Sequence, residues 1–195
     1  MKTKILAALI TLATTTYTCD LTNLSPYKKA IASELKTQYP TIIAPHNYDS
    51  LFKQYPEAVP FKEYILQASE AHSVPPRIIL AIIKAESRFN SKARSRVGAR
   101  GLMQLMLPTA RDVARDKKLK ACELFDPELN IYLGTKYIRS HLDYFKEDIP
   151  LALASYNAGR GNVLKYGRKV PPFKETRKYV SKIMKALSDS PQVKS

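Results

Sequence analysis

The sequence predicts an all-α domain, and three observations predict it. Apolar residues recur at helical spacing in several stretches, helix-start and helix-stop signals separate those stretches, and the alternation that marks a strand is nearly absent. The sharpest stretch runs from Pro76 to Asn90. There Ile79, Ile82, Ile83 and Glu86 stand at i, i+3, i+4 and i+7 and share one face. Pro76 suits the first turn, where a missing N–H costs nothing. A carboxylate buried at the end of an isoleucine face is costly unless paired or neutralised, so a raised pKa is expected for Glu86. The alternative is a surface acid, turned to solvent or paired with Lys84 or Arg88, and spacing alone does not separate the two.

The other elements follow in order. Residues 1–19 read as a signal peptide: Lys2 and Lys4 supply the charge, and Ile5 to Ala13 is an apolar run too short to span a bilayer. Cys19 stands where a lipoprotein would be acylated, but Thr16, Tyr17 and Thr18 replace the small residues usual before such a cysteine. Ordinary cleavage nearby is the alternative. Residues 20–58 read as an extension or tether interrupted by Pro40, Pro45 and Pro56, with a helix between Pro26 and Gln38 striped by Tyr27, Ile31 and Leu35. The main domain is placed at 59–187 and a frayed tail at 188–195. Within the domain, Phe61 to Ala71 predicts a helix with Phe61, Tyr64, Ile65 and Ala68 inward, ended by Ser73-Val-Pro-Pro76. Gly98 and Gly101 would let backbone approach a ligand or another segment. Pro108 starts a further helix. Asp126-Pro127-Glu128 combines an N-cap, a proline at N1 and an acid in the first turn of a helix running to about Phe145. Short helices are expected over Leu151–Asn157 and Asn162–Tyr166, and a last one over Glu175–Leu187.

Composition narrows the partners. The 195 residues carry a net charge of +15, which suits nucleic acid, an anionic membrane surface or an acidic polymer. The basic residues are scattered along the helices and form no stripe or recognisable module, so nucleic acid is not expected. Of the two cysteines, Cys122 reads as a small buried hydrophobe with no partner once Cys19 is lipidated or removed. His46, His72 and His141 lack ligand spacing, so no metal is expected, nor any cofactor.

Three motifs carry a resemblance. Glu86-Ser87, Ser95 and Gly98-Ala99-x-Gly101-Leu-Met-Gln-Leu-Met106 come first, then Ser155-Tyr-Asn-Ala-Gly159, then Glu175-Thr-Arg-x-Tyr-Val180. In this order, over roughly Val59 to Leu187, they resemble the soluble-type lytic transglycosylases, whose lysozyme-like fold is akin to goose-type lysozyme and holds a substrate groove. The chain departs from that pattern at Leu107, where proline usually stands. The resemblance implies one glutamate, Glu86, acting first as acid and then as base on the β-1,4 bond between N-acetylmuramic acid and N-acetylglucosamine in peptidoglycan. The muramic C6 hydroxyl would close a 1,6-anhydro ring without water. It further implies that Ser95 holds the acetamide or ring region, that Gln104 and Met106 line the groove, and that Tyr156 places its hydroxyl near Glu86 or the acetamide. Asn157 would bind sugar or cap the turn before Gly159. Glu175 would contact substrate, orient its neighbours, or pair with Arg168 or Arg177. Asn130 and Gly134 match as packing and positioning residues. Glycan strands are thus the expected partner of a monomeric, exported protein of the periplasm or cell envelope, anchored to the membrane if Cys19 is acylated. A water-using muramidase and a non-catalytic wall binder are the alternatives.

Overall fold

The computed structural model describes residues 29–31, 33 and 48–189. The leader, Cys19, most of the Pro26–Gln38 stretch, His46 and residues 190–195 lie outside them. Among the described residues the order is α1 (Asp49–Gln54), a 3-10 turn (Pro56–Phe61), α2 (Lys62–His72), α3 (Pro76–Glu86) and α4 (Leu107–Ala114). A second 3-10 turn (Ala121–Phe125) precedes α5 (Pro127–Tyr144), α6 (Ile149–Ala158), α7 (Arg160–Lys165) and α8 (Lys174–Asp189). No strand forms among these residues; isolated bridges join Arg100 to Arg94 and to Leu105.

The expected start signal for α5 is realised, since the Asp126 carboxylate accepts the Leu129 N–H at 2.9 Å. A cap that sequence reading passed over starts α6, where Asp148 accepts the Leu151 N–H at 2.9 Å. Pro108 lies at the second position of α4, with Met106 as its N-cap, so the shifted proline leaves the helix intact. The described end of the 20–58 extension holds α1 and the start of the first 3-10 turn, which sequence reading passed over. A proline at the start of a short helix loses no needed hydrogen bond, and Leu51, Phe52, Tyr55 and Ala58 are buried in the common core. Cys122 is half-buried, and the Cys19 on which its reading turns lies outside the described residues.

Helix α3 differs from its one-faced reading. Ile78, Leu80 and Ala81 are as buried as Ile79, Ile82 and Ile83, because α2 and α8 both pack on it. Arg77 and Lys84 keep the remaining side of the helix partly in solvent. Each fully buried Leu or Ile here contributes about 1.5–3 kcal/mol. Helix α5 in turn packs against α2, α4 and α6, and α6 against α8. This brings the end of α3, at Glu86, against the last helix of the domain.

Candidate active site

Glu86 closes α3 and is half-buried. Neither surface partner takes it: Lys84 pairs with Glu57 at 2.7 Å, and Arg88 points outward. Desolvation dominates the carboxyl and pushes its pKa up from 4.5 to about 7. Three groups of α8 adjust that value: Tyr179 and Lys182 favour the carboxylate, while the negative charge of Glu175 opposes it. Glu175, Tyr179 and Lys182 stand at i, i+4 and i+7, so one stripe of α8 addresses the acid. The buried Tyr179 hydroxyl makes no hydrogen bond of good geometry, yet its interaction with the Glu86 carboxyl lowers the pKa of the acid and raises its own. Tyr179 was not singled out from sequence, although the stripe spacing with Glu175 carried the signal.

Tyr156 reaches the same place from α6. Burial, and then the charge of Glu86, raise its pKa well above 10. Its hydroxyl donates to the Met103 carbonyl at 2.9 Å and so is satisfied by backbone, while it still feels the charge of Glu86. Its ring lies 5.1 Å from that of Tyr137.

Residues 87–106 form a folded loop held by its own backbone and by Asn130. Arg100 and Leu105 exchange two hydrogen bonds of 3.0 Å, and Gly101 donates to the Ala93 carbonyl at 2.9 Å. The fully buried Asn130 amide ties the loop to α5: it accepts from Met103 N at 2.7 Å and donates to the Arg100 and Leu124 carbonyls at 2.9 and 2.8 Å. Gly101 has φ +78°, and a Cβ there would lie 2.2 Å from the Leu124 carbonyl, so the close approach expected at this glycine is with another segment. Gly134 likewise leaves room for Met103, whose sulfur would be 2.4 Å from an added Cβ.

The other site candidates are placed as follows. The Ser95 hydroxyl oxygen accepts the Ala99 N–H at 2.9 Å, closing a turn. Gln104, at φ +49°, donates from Nε2 to the Ala93 and Gly101 carbonyls at 3.1 and 2.9 Å. Met106 is exposed at the N-terminus of α4. Asn157 accepts from the Thr176 hydroxyl at 2.8 Å, and so links α6 to α8 instead of capping the turn before Gly159. Glu175 is exposed and forms no ion pair with Arg168 or Arg177 among the described residues. Glu86, Tyr156, Tyr179, Glu175 and Lys182 thus make one electrostatically coupled group. No cluster of His, Cys, Asp and Glu among the described residues could hold a metal ion.

A desolvated carboxyl titrating near neutrality at the end of a buried helix can both give and take a proton. The transglycosylase SLT domain matches residues 63–179, and the chain belongs to that family. It is 32% identical over 158 residues to a soluble lytic murein transglycosylase of Escherichia coli K12, covering 73% of this chain and 24% of that protein. It is 35% identical over 131 residues to a transglycosylase of Enterobacteria phage PRD1, covering 67% and 44%. The fold resembles an inactive mutant of the lytic transglycosylase Slt from Pseudomonas aeruginosa with a TM-score of 0.64 at 30% identity, over 86% of this chain and 29% of that one. The chain therefore spans about a quarter of the length of the soluble relative.

Proposed function

We propose that this domain is a peptidoglycan lytic transglycosylase with Glu86 as its single acid and base. One observation carries the reading: the Glu86 carboxyl is held near pKa 7 by burial, in the position where the family's motif puts its acid. An acid poised at the working pH can both give and take a proton, and such help is worth on the order of 10²–10⁴-fold. Protonated Glu86 donates to the bridging oxygen as the bond from the anomeric carbon to that oxygen breaks. The muramic C6 hydroxyl then bonds to the anomeric carbon and returns its proton to the Glu86 carboxylate, so no water is consumed. The charge of Lys182 and the hydroxyl of Tyr179 stabilise that carboxylate between the two transfers. Ser95 retains its O–H donor and Gln104 its Oε1 acceptor beyond the bonds described above, which suits both to a sugar acetamide or hydroxyl. Met106, Asn157 and Glu175 are assigned to the borders of the same sugar path.

The curated relatives are named for murein and the phage relative as a transglycosylase, which supports the substrate class. A wall polymer as substrate puts the protein in the cell envelope, consistent with an exported chain. The mass of the mature protein decides between an acylated Cys19 and plain cleavage of the leader. Digestion of purified sacculi, with products read by mass spectrometry, tests the activity. Anhydro-muropeptides are expected. Products heavier by one water would make the enzyme a muramidase, and no products would leave a wall-binding module.

A further inference from the structure

The turn between α7 and α8 gathers side chains that the chemistry above does not use. No Asp or Glu occurs between Asp148 and Glu175, whereas Arg160, Lys165, Arg168, Lys169 and Lys174 all fall there. Large apolar side chains are left exposed in the same region: Leu164, Tyr166 and Phe173 in this segment, and Tyr144 at the end of α5. Contacts join them into one patch. Gly167 and Arg168 donate to the Leu164 and Val163 carbonyls, each at 3.0 Å, and so wind residues 163–168 into a tight turn. The Tyr166 ring meets the Phe173 ring edge-on at 5.6 Å. Arg160 lies over the Tyr144 ring at 4.8 Å, and Arg168 lies 5.5 Å from Tyr144 and 5.1 Å from Phe145. The acids near that end of α5 are engaged elsewhere, since Arg139 pairs with both Asp143 and Glu147.

We propose that this patch docks the protein on the surface of an anionic lipid bilayer. Apolar side chains exposed together mark an interaction surface, and the mixture here selects the partner. Aromatic rings and leucine settle at the level of lipid headgroups. Each Lys or Arg close to an anionic leaflet strengthens binding about fivefold. A soluble acidic polymer would satisfy the cations but leave the four apolar groups in water. Nucleobases need open ring faces to stack on, and guanidinium already covers Tyr144. A guanidinium lying on a ring keeps its N–H edges for lipid phosphate. Docking needs no glycan, so it goes beyond the transglycosylase reading above and stands or falls apart from it.

The chain has no tryptophan, so Tyr166→Trp puts a single indole on the patch. Val59→Trp puts one at a second exposed apolar position, on the first 3-10 turn. Each variant of the full chain, checked by mass to be unacylated, is mixed with vesicles of phosphatidylcholine containing phosphatidylglycerol. The emission of Tyr166→Trp should move to the blue and be quenched by brominated lipid, while that of Val59→Trp stays as in solution. An unmoved Tyr166→Trp, or equal quenching of the two, overturns the proposal. In sedimentation with the same vesicles, Lys165→Ala/Lys169→Ala should lower the partition coefficient about tenfold, against about twofold for Lys117→Ala/Lys118→Ala, which removes the same charge from exposed lysines after α4. Equal losses would mean that net charge alone attracts the protein, and the patch would lose its role. Leu164→Ser/Tyr166→Ser keeps the charge and should also cost about tenfold; a thermal melt checks its fold. Equal binding to phosphatidylcholine alone refutes the need for an anionic surface. Binding to soluble polyglutamate with none to vesicles would give the patch to an acidic protein instead.

Discussion

The surroundings of Glu86 and those of His72 and His141 pose the same problem with opposite charge. All three groups are withdrawn from water, and in each case desolvation is the leading cause of the shift. Burial raises the acid to about 7 and lowers both histidines to about 4. The neighbours make the difference. Around Glu86, Tyr179 and Lys182 accommodate a negative charge, whereas Arg160 beside His141 and Lys136 beside His72 refuse a positive one. Desolvation alone keeps a group neutral; desolvation with a compensating partner keeps it switchable. Glu86 is the group of the three that can exchange a proton near neutrality.

Four changes break or sharpen that contrast. The largest effect is on turnover. Glu86→Gln should lower the release of anhydro-muropeptides by at least 10²–10⁴-fold with the fold retained, and comparable turnover would remove Glu86 from the chemistry. The same variant should also reveal the cost of the buried acid. Folded Glu86 keeps its proton to about pH 7, while the unfolded chain releases it near 4.5. Folded wild type therefore loses stability as pH rises through that window. At pH 8, Glu86→Gln should unfold about 3 kcal/mol harder than wild type, with little difference at pH 4, measured by denaturant titration.

On the other side of the contrast the sign reverses. Unfolded His141 takes up a proton below about 6.5 and the folded chain resists until about 4, so stability falls as pH drops between those values. Replacing it by leucine should remove about 3 kcal/mol of the loss seen between pH 7 and pH 4; an unchanged acid limb would show that His141 charges freely in the fold. The smallest effects concern the tyrosines. Tyr156→Phe strands the Met103 carbonyl and should cost about 1 kcal/mol of stability as well as slowing turnover. Tyr179→Phe removes support for the carboxylate, so the alkaline limb of the activity profile should move upward, with KM nearly unchanged.

Much of this was legible in the chain itself. The Asp126-Pro127 start and the α3 face with its terminal acid each lie within one short stretch, where local geometry is the deciding factor, and the three family motifs are read in order along the chain. The misreadings share one cause. Ile78, Leu80 and Ala81 look like the outer side of an amphipathic helix until two other helices cover them. That the Met103 carbonyl, 53 residues away in sequence, takes the Tyr156 hydroxyl is likewise not written in either segment alone. Asn157 looks like a turn cap until Thr176 of α8 reaches it.

The sequence by itself determined the helical class, the family and the presence of an acid at the end of an apolar helix, because spacing along one element settles which residues share a face. Tertiary structure decided which groups surround that acid and where its neighbouring hydroxyls spend their hydrogen bonds. Those outcomes depend on which face of α3 meets α8 and how much water the contact expels, and no periodicity within a single helix contains that information.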